Sequence, residues 1–128
     1  MAKIRVVLAD DHQDVIARVR QTLDEDFEII DAVEDGNQAV DAVRLLDADV
    51  LVIDISMPVS NGLEAAKRLT AARSRAKIVF LTIHEDQDFV SAAISAGASG
   101  YVTKSRLSAD LVPAIREALQ GHKFVSKF

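Results

Sequence analysis

The chain has 128 residues, of which 49% are hydrophobic and 27% are charged, and it carries a formal net charge of −5 at pH 7. It contains no cysteine, which excludes disulfides, thiolate catalysis and cysteine-based zinc sites. The negative charge argues against direct binding of nucleic acid, and no apolar stretch approaches the roughly 18 residues of a membrane span, so we expect a cytoplasmic protein that does not contact a membrane.

A chain of this length forms one domain, and its pattern predicts an α/β fold. Short apolar runs alternate with amphipathic stretches, which is typical of a parallel sheet covered by helices on both faces. We predict strands at residues 4–9, 27–33, 50–53, 78–82 and 100–103. Apolar residues at helical spacing predict the intervening and final helices, for example Val15, Ile16, Val19 and Leu23, and Leu111, Val112, Ile115 and Leu119.

Several residues predict where helices begin and end. Asn61 is expected to cap a helix that begins at Gly62, and Ser108 is expected to cap the last helix. Gly121 is expected to end that helix, because glycine readily adopts the left-handed conformation that follows many helices. We expect the remaining segment, residues 122–128, to be the only unanchored piece of the chain.

Polar side chains follow four of the predicted strands. Asp10 and Asp11 close the first strand, Asp54 closes the third, Thr82 closes the fourth and Lys104 follows the fifth. Because open α/β sheets place their chemistry at the carboxyl ends of the strands, we expect these side chains to lie close together. Three carboxylates, a hydroxyl and an ammonium group predict a site for a cation and a phosphoryl group.

The carboxylates suggest a divalent cation. Two carboxylates 4 Å apart repel each other by about 4 kcal/mol at an effective dielectric constant near 20, and a cation relieves that repulsion. Oxygen ligands favour Mg²⁺ or Mn²⁺ over Zn²⁺. Two simpler explanations stay open at this point: Asp10 or Asp11 caps the following helix, and Asp54 is an ordinary turn residue at the end of a strand.

The full set of motifs resembles the receiver domain of bacterial two-component response regulators. The resemblance is carried, at the spacing of that family, by Asp10-Asp11, Asp54, Met57-Pro58, Gly62, Thr82 and Lys104, and it extends from residue 3 to about residue 121. It implies a flavodoxin-like, doubly wound, five-stranded parallel sheet of strand order 2-1-3-4-5 with five helices. Residues 81–84 and 96–105 are most similar to receivers of the NarL/FixJ group, which carry LuxR-type helix-turn-helix domains.

The resemblance also assigns roles to individual residues. It implies that Asp54 is the phosphoacceptor, which attacks the phosphohistidine of a sensor histidine kinase or a small phosphodonor. Asp11, Asp54 and the backbone carbonyl of Ser56 would bind Mg²⁺ or Mn²⁺. Asp10 would contribute to this metal site directly or through water. Lys104 would pair with the phosphoryl oxygens as a point charge, and its alternative role is that of an ordinary solvated lysine.

Four further positions belong to the expected switch and its timing. By resemblance, the Thr82 hydroxyl binds a phosphoryl oxygen after phosphorylation, and Tyr101 rotates into the space that it leaves. Ser56 and His84 would flank the path of the water that removes the phosphoryl group. The alternatives are a half-buried Tyr101 with a solvated hydroxyl and a His84 that is simply an exposed loop residue.

One position departs from the family pattern. Many members have a proline after the lysine, joined by a cis peptide bond, whereas Ser105 follows Lys104 in this chain. A cis bond to a residue other than proline costs about 2.5–4 kcal/mol. The sequence leaves both the cis and the trans arrangement open.

Other functions fit the residues less well. A phosphatase of the haloacid dehalogenase class needs a second aspartate two residues after its nucleophile, where this chain has Ser56. A flavin-binding module would place a phosphate next to Asp10 and Asp11, which would repel it. A receiver that is never phosphorylated and acts as a protein-interaction module is the remaining alternative.

We expect residues 1–121 to form the receiver and residues 122–128 to be a tail or the start of a linker to a missing output domain. On this interpretation, the protein contacts DNA only through a helix-turn-helix domain and forms a homodimer when phosphorylated. The alternative is a stand-alone receiver that acts through protein contacts.

Overall fold

The computed structural model describes residues 2–128, which form a parallel β-sheet with helices on both faces. The longest helix has 13 residues, and none of the helices in residues 2–128 is long and apolar enough to cross a membrane. The elements in chain order are β1 (Ile4–Ala9), α1 (Gln13–Thr22), β2 (Phe27–Val33), α2 (Gly36–Leu46), β3 (Val50–Ile53), α3 (Gly62–Ala71), β4 (Lys77–Thr82), α4 (Gln87–Ser95), β5 (Gly100–Thr103), a 3₁₀ turn (Lys104–Arg106), α5 (Leu107–Leu119) and β6 (Phe124–Val125).

The central strands are apolar along their length because both of their faces are covered. Alternate residues of each strand point to opposite faces of the sheet, so the strands supply two separate cores. Helices α2, α3 and α4 cover the core that contains Val7, Leu51 and Phe80. Helices α1 and α5 cover the core that contains Val6, Val52 and Leu81. This arrangement fixes the carboxyl ends of β1, β3, β4 and β5 along one edge of the sheet.

The predicted strands are confirmed almost residue for residue, but the predicted number of strands is wrong. The sheet has six strands in the order β2-β1-β3-β4-β5-β6, so the expected order 2-1-3-4-5 is extended by one strand. β4 begins one residue earlier than predicted, at Lys77. The sixth strand pairs in parallel with β5, with Tyr101 opposite Val125. A strand of two residues is too short to show a periodic pattern, which is why the sequence did not reveal it.

The segment that we expected to be unanchored is held to the sheet by Ser126. Its backbone N–H donates a hydrogen bond to the carbonyl oxygen of Tyr101 at 2.8 Å. Its buried hydroxyl donates to Asp110 Oδ2 at 2.7 Å and accepts from the backbone N–H of Thr103 at 3.3 Å. The sheet therefore extends beyond residue 121, and the expectation of a loose tail is wrong.

Two of the three residues that we expected to mark the ends of helices are confirmed in that role. Asn61 Oδ1 accepts a hydrogen bond from the backbone N–H of Glu64 at 2.9 Å and caps α3. Gly121 adopts a φ of +84° just after α5. Ser108 is not the cap of α5, because the 3₁₀ turn leads directly into the helix at Leu107 and places Ser108 inside its first turn.

Candidate functional site

The structure brings together two buried aspartates and a lysine at the carboxyl ends of β1, β3 and β5. Asp10 follows β1, Asp54 follows β3 and Lys104 follows β5. The Lys104 ammonium lies 2.9 Å from Asp54 Oδ2 and 3.0 Å from Asp10 Oδ2. The two aspartates are almost completely buried, with 3% and 1% of their surfaces exposed. A charge cluster this well shielded from water interacts far more strongly than a surface ion pair.

The electrostatics of Lys104 follow from this contact. Burial by itself lowers the pKa of the Lys104 ammonium. The hydrogen bonds to Asp54 and Asp10, together with their negative charges, outweigh that effect and leave the pKa of Lys104 above its usual value. Lys104 is therefore a fixed cation inside the site, and the alternative of an ordinary solvated lysine is wrong.

Asp10, Asp11 and Asp54 form a set of possible ligands that suits a hard divalent cation. Each offers an oxygen, and these atoms lie within 4.8 Å of one another and of a nitrogen of His12. Asp54 Oδ1 is buried and accepts no hydrogen bond from the described residues. A buried carboxylate oxygen without a partner is costly, and coordination to Mg²⁺ or Mn²⁺ would satisfy it.

His12 is a member of this cluster that our sequence reasoning missed. Its Nδ1 lies 2.9 Å from Asp10 Oδ1 and 3.2 Å from Asp11 Oδ1. The hydrogen bond that Asp10 accepts from His12 raises the pKa of His12, although the charge of Lys104 opposes this shift. Its position next to Asp10-Asp11 in the sequence was the available signal. We had treated the ligand set as oxygen only, and the structure adds an imidazole at its edge.

The simpler explanations for the aspartates do not hold. His12 occupies the N-cap position of α1, and no side chain caps that helix. Asp10 Oδ1 instead accepts a hydrogen bond from the backbone N–H of His12 at 2.9 Å, which is a local turn. Asp54 points into the buried cluster and pairs with Lys104, so it is not a solvated turn residue.

The loop after Asp54 passes close to the strand end at Gly62. A Cβ atom at position 62 would lie 2.0 Å from the backbone oxygen of Asp54, which only glycine avoids. The same loop places Val59 at a φ of +67°, an unusual conformation for a β-branched residue. The role of the Ser56 carbonyl as a metal ligand stays a prediction.

Tyr101 and Thr82 meet at the backbone of His84. The side chain of Tyr101 is fully buried, and its hydroxyl donates a hydrogen bond to the carbonyl oxygen of His84 at 2.7 Å. Burial, with smaller contributions from Asp54 and Asp86, raises the pKa of Tyr101 to about 12. Thr82 Oγ1 accepts a long hydrogen bond of 3.4 Å from the His84 N–H. The alternative of a Tyr101 with a solvated hydroxyl is wrong.

The side chain of His84 is also held in place. Its Nε2 lies 2.9 Å from the Ser56 hydroxyl, and its ring stacks on Phe89 with 4.1 Å between centroids and 15° between planes. His84 is partly buried, so it is not a free loop histidine. The sequence predicted no site role for Phe89, so this contact was missed.

The departure from the family pattern after Lys104 has a simple outcome. The peptide bond between Lys104 and Ser105 is trans, and Lys104 begins a 3₁₀ turn. Its ammonium still reaches both buried aspartates. Ser105 places its hydroxyl 3.2 Å from Thr103 Oγ1 and donates to Glu85 at 3.3 Å. These contacts fix the loop that presents Lys104.

A cleft of about 310 Å³ gives access to Asp54 from solvent. Lys104, Ser56, Val15, Arg18 and Ile83 are among the residues that line it. An apolar wall with a cation suits a partner that presents a phosphoryl group on a side chain. The arrangement supplies an anionic oxygen, a fixed ammonium and a ligand set for a metal at one point, which is what phosphoryl transfer to a carboxylate requires.

Comparison with known proteins identifies relatives over almost the whole chain. A family model described as the response regulator receiver domain matches residues 6–116. The transcriptional regulatory protein DegU of Brevibacillus brevis is 35% identical over 125 residues, which cover 96% of this chain and 53% of DegU. The chain thus spans about half the length of the relatives of this kind that it matches.

Solved structures with the same architecture are also similar in sequence. A LuxR-family two-component response regulator from Aurantimonas sp. SI85-9A1 superimposes with a TM-score of 0.89 at 32% identity, and the match covers 96% of this chain and 89% of the other. The isolated receiver of RcsB from Salmonella enterica serovar Typhimurium, solved with the phosphomimetic BeF₃⁻, has a TM-score of 0.87 at 28% identity, and the match covers 98% and 94% of the two chains.

Proposed function

The chain belongs to the response regulator receiver domain family, and we propose that it works by accepting a phosphoryl group on Asp54 from a sensor histidine kinase. It is a two-component receiver homologous to transcriptional regulators. The observation that supports the assignment of Asp54 is its contact with Lys104 inside a buried acidic cluster. Of the three aspartates in that cluster, Asp54 lines the solvent-accessible cleft.

In the proposed reaction, an oxygen of Asp54 attacks the phosphorus of a phosphohistidine or of a small phosphodonor. The new oxygen–phosphorus bond forms as the bond to the donor breaks, and that electron pair stays with the donor. Lys104, which donates a hydrogen bond to Asp54 Oδ2, would then pair with the phosphoryl oxygens. Asp10, Asp11 and Asp54, with the Ser56 carbonyl, would hold Mg²⁺ or Mn²⁺. A cation held there would supply positive charge to offset the negative charge of the phosphoryl group.

The switch would act through His84. Thr82 Oγ1 accepts a long hydrogen bond from the His84 N–H, so its hydroxyl can move to donate to a phosphoryl oxygen at little cost. Any displacement of His84 also displaces the carbonyl oxygen that holds the Tyr101 hydroxyl. Phosphorylation would therefore change the surface formed by α4, β5 and α5. A full shift between two conformations requires about 5.5 kcal/mol of differential stabilisation.

The output belongs to the same proposal. Relatives such as DegU are named as transcriptional regulators and are about twice as long as this chain. We propose that residues 1–121 are the receiver, that residues 122–128 lead toward an output domain, and that DNA is bound only through a helix-turn-helix domain. In the same proposal, the protein assists phosphotransfer onto its own Asp54 and forms a homodimer when it is phosphorylated. Autodephosphorylation then returns it to the unphosphorylated state.

Intact-mass spectrometry after incubation with acetyl phosphate and Mg²⁺ tests the central step. The expected result is a mass increase of one phosphoryl group that disappears in Asp54→Asn. Asp41→Asn is the matched control, because Asp41 is exposed on α2 away from the site, and it should be labelled like the unmodified chain. An adduct that persists in Asp54→Asn would contradict the proposal, and so would the absence of any adduct, which would favour an unphosphorylated interaction module.

A further inference from the structure

Ser56, His84 and Phe89, which we call the histidine bridge, connect three parts of the structure beside the Asp54 cleft. Ser56 belongs to the loop after β3, His84 to the loop after β4, and Phe89 to the first turn of α4. The Ser56 hydroxyl and His84 Nε2 are 2.9 Å apart, and the His84 and Phe89 rings are stacked at 4.1 Å. Ser56 and Ile83, the residue before His84, both line the cleft.

The chemistry of the bridge limits what His84 can do there. A histidine that activates water needs a free ring nitrogen directed at that water. His84 Nε2 is already engaged by the hydroxyl of Ser56, which lines the cleft. The imidazole therefore lies behind a cleft-lining side chain with this nitrogen occupied, a position that suits a barrier to water rather than a base.

Phe89 fixes the plane of the His84 imidazole. The hydrogen bond between Ser56 and His84 is exposed to solvent, so water competes with it and it orients the ring weakly by itself. Phe89 is anchored, since its side chain packs against the core under α4 and its N–H donates to the Asp86 carbonyl oxygen at 3.1 Å. Stacking on an anchored ring restricts both side-chain torsions of His84.

From this arrangement we propose that Phe89 is a positioning residue, which holds His84 against Ser56 so that the imidazole shields the phosphorylated Asp54 from water and lengthens its lifetime. This inference rests on the proposed function, because it concerns the hydrolysis of the aspartyl phosphate. In that hydrolysis, the water oxygen bonds to phosphorus while the bond to the Asp54 oxygen breaks. The electron pair returns to the carboxylate, and the water releases a proton to solvent.

The test is the rate at which the phosphorylated full chain loses its phosphoryl group after removal of acetyl phosphate, followed by intact mass. Phe89→Ala and Phe89→Leu should both speed hydrolysis by about two- to tenfold, the range that loss of a stacking contact supports. Phe89→Leu keeps most of the apolar volume and guards against simple misfolding. Phe89→Tyr retains a stacking ring and should restore the lifetime of the unmodified chain. Ile94→Ala is the matched control, because Ile94 packs on the same core from α4 without belonging to the bridge.

A double variant separates a role through His84 from a general effect on α4. His84→Ala should speed hydrolysis about as much as Phe89→Ala, and the two changes together should add little. Equal lifetimes in all variants, slower hydrolysis in Phe89→Ala, or full additivity with His84→Ala would each overturn the inference. Failure of the unmodified chain to form any adduct would instead overturn the proposed function, so the two outcomes are distinguishable.

Discussion

Replacing Ser126 by alanine tests whether β6 is an integral part of the domain. The Ser126 hydroxyl lies between the sheet and α5, where it donates to Asp110 Oδ2 at 2.7 Å and accepts from the Thr103 N–H at 3.3 Å. Thr103 is fully buried and directly precedes Lys104. Ser126 therefore connects the C-terminal segment to the strand end that presents the site lysine.

The expected cost follows from these two hydrogen bonds. Loss of a hydrogen bond to an ionised carboxylate costs about 1.5–3 kcal/mol, and the unpaired buried N–H of Thr103 adds a desolvation cost of about 1–3 kcal/mol. The full sum is not expected, because β6 can detach and let water reach Thr103. We therefore expect a loss of about 2 kcal/mol in the free energy of unfolding for Ser126→Ala. In a domain of this size, that loss lowers Tm by about 6–12 °C.

Urea unfolding followed by far-ultraviolet circular dichroism measures the change. Ser108→Ala is the matched control, since Ser108 is an exposed serine on α5, and it should change stability by less than about 0.5 kcal/mol. Hydrogen exchange at the Phe124 and Ser126 amides should accelerate in Ser126→Ala, because these amides donate to the carbonyl oxygens of Ser99, just before β5, and of Tyr101 in β5. A loss for Ser126→Ala no larger than that of the control would refute this account of β6.

The difference in the free energy of unfolding between the unmodified chain and Ser126→Ala should depend on pH in a defined direction. The hydrogen bond from Arg106, and a smaller one from Ser126, lower the pKa of Asp110 below its usual value of 3.8, against the opposing effect of burial. A carboxyl group whose pKa is lowered by folding contributes stability above its usual pKa, and that contribution disappears as the pH falls through the folded value. The Ser126→Ala difference should therefore be largest near neutral pH and shrink in acid below about pH 4.

Two further predictions concern the loop after Asp54. Val59→Gly should raise the free energy of unfolding by about 0.5–1 kcal/mol, because glycine removes the backbone strain of a valine at a φ of +67°. Little burial is lost, since the Val59 side chain is 84% exposed. An unchanged or lower Tm in thermal unfolding would contradict this. Gly62→Ala should cost about 1–3 kcal/mol in urea unfolding and lower the yield of phosphorylated Asp54, because its methyl group would meet the Asp54 carbonyl at 2.0 Å. Normal stability together with normal labelling would show that the loop yields without disturbing Asp54.

Continuous apolar runs and the residues that end them made much of the fold and the site predictable. β3 reads as four buried residues followed by Asp54, and a parallel sheet aligns the ends of such strands without any further information. The grouping of Asp10, Asp54 and Lys104 follows directly from that alignment. Their distances to one another did not follow, because they depend on the course of the loops.

The features that sequence reasoning missed depend on single side-chain contacts. The Ser56–His84 contact joins residues 28 positions apart in two irregular loops, and no periodic pattern records such a pairing. β6 depends on one buried hydroxyl rather than on apolar alternation. The Ser108 cap was wrong because a 3₁₀ turn at Lys104 already directs the chain into α5, and sequence propensity alone does not distinguish a helix that begins freely from one that continues a turn.

Charge balance explains why the parts of this site must act together. Three carboxylates face one lysine, and the nearby His12 adds at most one further positive charge. A phosphoryl group would carry up to about two negative charges, but Asp54 gives up its own charge on phosphorylation, so the site would gain about one negative charge, which Lys104 alone cannot offset. A divalent cation held by Asp10 and Asp11 would offset most of the excess. Phosphorylation of Asp54 should therefore require Mg²⁺ or Mn²⁺. Lys104→Met should leave cation binding intact but remove the contact between the phosphoryl group and the end of β5. The phosphoryl group would then be uncoupled from β5, the strand that carries Tyr101 and holds Ser126.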